Sequence, residues 1–136
     1  MLDPLFVRDH LEEVKDGLRR RGLDPDKTLG EIPTLEGIRR RLIGEVEALK
    51  RQQNTSGDEI AKAKRQGHDT TGIQEASRAR AQHIKQLDIQ LDSIEHQRTQ
   101  ALLVVPNLPH ASVPAGGGSA DNVEVRRRGE PRTFDF

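Results

Sequence analysis

The side chains best suited to bind a ligand are seven cations in the middle of the chain. They are Arg51, Lys62, Lys64, Arg65, Arg78, Arg80 and Lys85. Residues 50–85 carry eight cations and four anions, a net charge of +4, although the whole chain has 22 of each sign. Clustered ammonium and guanidinium groups attract phosphates, and nucleic acid backbones are their commonest extended source. We predict a polyanion-binding surface here, although charge alone is also typical of a solvated helix face.

The other reactive groups form no catalytic pattern. The five histidines are scattered, and no two have the i, i+4 spacing of a helical zinc site. The three glycines at 116–118 lack the Lys and Ser/Thr of a phosphate-binding loop and do not begin a helix. The chain has no cysteine, so it has no thiol nucleophile and no disulfide, which is typical of a reducing compartment. We therefore expect no catalytic residue, no metal site and no cofactor in this chain.

The composition favours long helices over a rounded core. Apolar and charged residues each make up 32% of the 136 residues, and no aromatic residue lies between Phe6 and Phe134. A compact enzyme domain usually buries several aromatic rings. Because rings are missing from the basic region, a nucleic acid would be held through phosphates, riboses and shape, without base stacking. No apolar run is long enough for a membrane span, and the acidic start MLDP argues against a targeting segment.

Helical spacing and capping residues predict three helices, at about 4–21, 33–66 and 73–104. Asp3 before Pro4 is a typical helix start. Residues 24–30 are expected to form a connection, and the glycines and small polar residues at 67–72 a turn. Two arms of about 33 residues, each roughly 50 Å long, predict an antiparallel hairpin. The predicted fold is all-α: a long two-helix coiled-coil hairpin, a short N-terminal helix packed at its base, and an extended C-terminal tail.

The line of contact between the arms, called the seam here, is predicted to change along its length. Near the base it contains Leu, Ile and Val, whereas its outer half contains Gln53, Ser56 and Arg80. Apolar burial should therefore hold the base more firmly than a mobile tip. The stem of Arg80 is expected to cover a gap in the seam, with its head in water. Arms of equal length predict Ile38 opposite Leu102.

The tail is rich in proline and glycine. The chain is predicted to divide into a helical arm, 1–105, and an extended linker, 106–136, whose glycines at 116–118 form a flexible joint. The alternating Val123-Glu124-Val125 suggests a short strand. Because a lone strand is not stable, we expect the sequence to be cut off before its natural neighbour.

Several motifs carry a family resemblance over essentially all 136 residues. They are the start MLDP, the segment PNLPH at 106–110, the segment DNVEVRR at 121–127 and the ending GEPRTFDF. With the hairpin and its basic tip, they resemble the N-terminal arm of bacterial-type seryl-tRNA synthetases. The resemblance implies a cytoplasmic serine–tRNA ligase of class II, in which the arm grips the long variable arm and elbow of serine tRNA. It also implies a homodimer whose separate catalytic core uses ATP and magnesium to make seryl-tRNA.

The sequence departs from the family pattern near the tip. Gln53-Asn54 stands where the family usually has Arg-Asn, Gly57-Asp58 where it has Ser-Lys, and Arg128 where a Trp is common. These changes shift the expected tRNA contacts toward the cations from Lys62 onward. The alternative function is a helical-hairpin module that binds a protein partner, with little salt dependence; self-association through Val123–Val125 is a third. Neither DNA nor a membrane is expected as a partner.

Overall fold

The computed structural model describes residues 1–116, 118–130 and 132–135. Within these ranges the chain is helical and contains no strand, which confirms the predicted all-α class. The α-helices are α1 (Pro4–Asp9), α2 (Leu11–Arg20), α3 (Pro25–Leu29), α4 (Ile32–Arg65) and α5 (Thr71–Val104).

The predicted first helix is divided in two. Asp3 caps α1 by accepting a hydrogen bond from the Leu5 N–H at 2.7 Å, as its sequence position indicates. His10 then leaves the helical conformation, at φ −126° and ψ 41°, and its ring stacks on Phe6 with 4.8 Å between centroids. The prediction of one continuous helix over 4–21 was therefore wrong. The expected connection at 24–30 also contains α3, which Asp24 caps.

Helices α4 and α5 form the predicted hairpin, and each contains 34 residues. Gly67 turns the chain with φ +72°, a conformation that favours glycine. The carboxylate of Asp69 then accepts hydrogen bonds from the Thr71 N–H at 2.9 Å and hydroxyl at 2.7 Å. These bonds form a local turn just before α5, which starts at Thr71, two residues earlier than predicted.

The earlier start of α5 changes the register of the arms. Arg98 contacts Glu36 at 2.7 Å, whereas the predicted register would place residue 104 opposite Glu36. Leu102 joins the core at the base of the hairpin, and Ile38 packs against a separate cluster further out. The expectation that Ile38 faces Leu102 was therefore wrong. The outer cluster consists of Leu42, Val46 and Leu87, with Ile38, Leu49, Leu91 and Ile94 packed around it.

The main core lies at the base, where α1, α2 and α3 pack against the hairpin. Its buried members are Val7, Val14, Leu18, Leu29, Ile32, Leu102 and Val105. Full burial of such a side chain contributes about 1.5–3 kcal/mol. The base is therefore the firmly packed end of the molecule, as the predicted apolar gradient requires.

The C-terminal segment begins as a strap, residues 106–114, laid on α2. Leu108 packs against the base core, and the Arg20 guanidinium donates to the carbonyls of His110, Ala111 and Val113 at 2.7–3.2 Å. Beyond the strap, Val123–Val125 is exposed and forms no strand within the described tail, where the sequence offers no partner strand for it. Gly117, in the predicted joint, lies outside the described residues.

Candidate functional site

Six of the seven predicted cations form an exposed set on the outer half of the hairpin, called the distal cations here. They are Arg51, Lys62, Lys64, Arg65, Arg78 and Lys85. Within the described ranges, none of them has a carboxylate within 4 Å. Their charges are therefore available to an anionic ligand.

Cations nearer the base are largely engaged. Arg98 contacts Glu36 at 2.7 Å, and Arg39 contacts Glu95 at 3.0 Å across the seam. In α1 the hydrogen bonds from Arg8 hold the pKa of Asp9 below its ordinary value. Paired charges attract distant anions weakly, since their fields cancel beyond a few ångströms. The positive charge that is free of ion pairs is therefore found mainly in the outer half of the hairpin.

The distal cations do not form one patch. At 3.6 residues per turn, Arg51, Lys62 and Arg65 fall on one side of α4, within about 60° of one another. That side is opposite the buried Ser56 and therefore faces away from α5. Asp58, which is exposed, belongs to the same side and lowers its positive potential. Lys64 falls on a different side of the helix, nearer the seam.

On the second arm, Arg78 and Lys85 are seven residues apart and share one side of α5. The buried Leu87 marks the side that packs on α4, which is well separated from this pair. The structure thus gives each arm its own row of cations on the outer edges of the hairpin.

The turn places three cations at the end of α4. Lys62, Lys64 and Arg65 belong to its last turn, where the negative end of the helix dipole favours positive charge. In the adjoining turn, hydrogen bonds from the Thr71 hydroxyl and backbone N–H hold the pKa of Asp69 below its ordinary value of 3.8. Asp69 is thus bonded to Thr71, and in the described structure no ion pair joins it to these cations.

Arg80, the seventh predicted cation, has a different environment. Its Nη1 donates across the seam to Ser56 Oγ at 3.0 Å and to Gln53 Oε1 at 3.3 Å. Gln53 in turn donates to Ser77 Oγ at 2.7 Å. The head of Arg80 thus bonds to the opposite arm, which corrects the expectation that it reaches into water. Sequence reasoning missed Ser77, because nothing in its spacing distinguishes it from a surface serine.

The described residues contain a pocket at the base but no metal cluster and no membrane-spanning helix. No group of three or more His, Asp or Glu side chains among them could hold a metal ion. A pocket of about 210 Å³ at the base has largely apolar walls, with the Glu36–Arg98 pair at its edge. None of the described helices has the length and apolarity needed to cross a bilayer.

The fold and its surface define a class of protein: a helical-hairpin arm whose well-packed base carries an exposed, cationic outer half. A family model described as the seryl-tRNA synthetase N-terminal domain matches residues 1–109. Because that match covers most of the sequence, the chain belongs to this family. The resemblance seen in its motifs is thereby confirmed.

Individual relatives agree with this assignment. A serine–tRNA ligase from Listeria welshimeri is 45% identical over all of this chain and 32% of its own length. A serine–tRNA ligase from Carboxydothermus hydrogenoformans is 42% identical, again over all of this chain and 32% of its own length. The crystal structure of seryl-tRNA synthetase from Pyrococcus horikoshii complexed with ATP superposes with a TM-score of 0.80, at 31% identity over 93% of this chain and 28% of that chain. The chain thus spans about a third of the length of these relatives.

Proposed function

We propose that this chain is the tRNA-binding arm of a cytoplasmic serine–tRNA ligase. In this proposal the arm holds serine tRNA by its long variable arm and elbow. The observation that carries the proposal is the set of six distal cations, exposed and without ion pairs on the outer half of a hairpin about 50 Å long. Such a surface suits a phosphate backbone that lies far from the base.

Recognition would rest on backbone and shape. The hairpin carries no aromatic residue, so bases have no ring on which to stack. Lys and Arg side chains contact phosphates whatever the base sequence, and RNA helices are distinguished mainly by shape and by the 2′-hydroxyl. Cations on both edges of the hairpin would let one arm contact two backbone segments of a folded RNA.

The reaction itself would take place outside this chain. We propose a class II catalytic core that forms seryl-tRNA with ATP and magnesium, and a homodimer in which the arm guides tRNA to the opposite subunit. We assign no residue of this chain to ATP, magnesium or catalysis. The part of the relatives that the chain does not span is where such a core would be.

Fluorescence anisotropy tests the binding proposal. The 136-residue chain is titrated with a serine tRNA transcript, a tRNA with a short variable arm, and a DNA duplex of equal phosphate number. We expect the serine tRNA to bind most tightly, with log K falling by about 0.7–0.9 per decade of salt for each phosphate neutralised. Equal binding of all three, or affinity independent of salt, would contradict the proposal; the second result would favour a protein-interaction module.

A further inference from the structure

One member of the predicted binding set is bonded inside the hairpin. Arg80, half-buried, joins the arms through Ser56 and Gln53, and Gln53 continues the contact to Ser77. Ser56 itself is 8% exposed. These four residues, called the polar layer here, form the polar contact of the outer seam, and the Glu36–Arg98 and Arg39–Glu95 ion pairs join the arms nearer the base.

We propose that Arg80 is a positioning residue that sets the register of the outer half of the two arms, beyond the ion pairs at the base, so that their cations present a fixed pattern to the RNA. The inference rests on the proposed tRNA-binding function and adds to it a residue that fixes how the two helices are aligned. A polar group at a core position of a coiled coil favours one register at some cost in stability. The same logic applies to a guanidinium in this seam.

The residues beside the polar layer explain why the register of the outer arms needs a specific polar contact. Leu49 and Ile60 flank the polar layer along α4, and both are half-buried. Ion pairs join the arms near the base, but in the outer half an apolar seam would tolerate slippage, because any aliphatic side chain can pack against another. In the slipped arrangement the Arg80 guanidinium would face Leu49 or Ile60 and lose its acceptors, which is unfavourable for a half-buried charge.

The polar layer also has the marks of an interaction that costs stability. No carboxylate lies within 4 Å of Arg80 in the described structure, so neutral oxygens alone compensate its charge. Partial burial of a charge that has no ionic partner is unfavourable, and an apolar residue of similar volume removes this cost while it gives up the two hydrogen bonds. A slip of one helical turn would move the cations of one arm by about 5.4 Å relative to those of the other. Arg80 would thus lower the folding stability of the hairpin while it fixes the relative positions of the cations on the two arms.

The test combines thermal stability, a distance measurement and tRNA binding in Arg80→Leu. Because the chain has no cysteine, Ala61→Cys and Ala79→Cys allow clean spin labelling of the two exposed positions. We expect an unchanged or higher melting temperature and a broader or two-peaked label distance distribution. We also expect serine tRNA affinity to fall about three- to tenfold, the size of effect that removing one hydrogen bond has, with an unchanged salt slope. Arg78→Leu, the exposed control, should lower the slope and leave the distances unaltered.

Three results would overturn the inference. An unchanged distance distribution in Arg80→Leu would show that the register does not depend on the guanidinium. A salt slope lowered by about 0.7–0.9 would make Arg80 a phosphate ligand. A lower melting temperature with a single narrow distance would make it an ordinary stabilising residue. If no variant binds tRNA, the proposed function fails, while the distances still decide the role of Arg80.

Discussion

Gly17 of α2 lies directly against Leu108 of the strap. A methyl group at position 17 would come 2.8 Å from Leu108 Cδ2, closer than atoms can pack without movement. Gly17 is buried, so the helix and the strap meet at a point where only hydrogen fits. This contact makes the strap part of the folded base.

The close approach of Gly17 to Leu108 predicts an unusual result for Gly17→Ala. Alanine in a helix normally gains up to about 1 kcal/mol over glycine, whereas overpacking costs about 1–3 kcal/mol. We expect a net loss of about 1 kcal/mol in unfolding free energy, measured by urea unfolding with far-UV circular dichroism. In a Leu108→Ala background the same change should be stabilising, and a loss in both backgrounds would contradict the close approach.

Arg20 is expected to hold the strap in place. Its guanidinium donates to three strap carbonyls, and Arg20→Ala leaves all three without this donor. We expect a loss of about 1 kcal/mol in unfolding free energy, with faster hydrogen exchange confined to residues 106–114. Arg19→Ala is the matched control, because Arg19 pairs with Asp16 on the exposed side of α2. Equal exchange rates in the two variants would remove Arg20 from this role.

The buried pair of Glu36 and Arg98 should be sensitive to the removal of one partner. Their side chains are 12% and 13% exposed, and the two charged groups are 2.7 Å apart. Glu36→Gln leaves the Arg98 charge uncompensated and should cost about 3 kcal/mol. The double variant Glu36→Leu with Arg98→Leu should recover most of that stability, since apolar residues often replace a buried pair well. A double variant less stable than Glu36→Gln would contradict this account; urea unfolding measures both.

The last turn of α4 supplies the sharpest test of the RNA-binding surface. Replacing Lys62, Lys64 and Arg65 together with alanine should reduce the salt slope of serine tRNA binding by about 0.7–0.9 for each phosphate that the variant no longer neutralises. The control removes three cations nearer the base, Arg19, Lys27 and Arg41, which gives the same change in net charge. Similar slopes for the two triple variants would show that overall charge, and not the distal cations, governs binding.

Asp69 should make the start of α5 sensitive to acid. Its pKa is lowered by the hydrogen bonds from Thr71, so these bonds contribute stability above the unfolded value of 3.8. That contribution disappears as pH falls through the lower folded pKa. We expect the Thr71 amide resonance to titrate with a midpoint below 3.8 and to show no such titration in Asp69→Asn. A midpoint at or above 3.8 would contradict the hydrogen bonds from Thr71 to Asp69.

Sequence predicted the hairpin because its causes are local. Helical spacing and the glycine turn act within a few residues. The break at His10 was not predictable, since no Gly or Pro marks it and the apolar spacing continues across it. The register of the arms also escaped prediction, because it depends on where the turn at Asp69 ends and α5 begins.

The sequence predicted only part of the candidate site, for a similar reason. Six cations are exposed, as polar residues on a long hairpin usually are, and their side of the helix follows from spacing alone. Arg80 is different, because its acceptors belong to the opposite arm and depend on the register. A residue that bonds across the seam cannot be recognised until the pairing of the arms is known.

The apolar base and the polar outer seam have a consequence for how such an arm can evolve. Substitutions in the outer half of the hairpin alter its surface charge, and insertions there alter its length. This region contributes little to the folding of α1, α2 and α3. Changes in ligand preference can therefore accumulate there without penalising the fold of the whole domain. Adaptation to a new RNA and maintenance of the scaffold become nearly independent problems for selection.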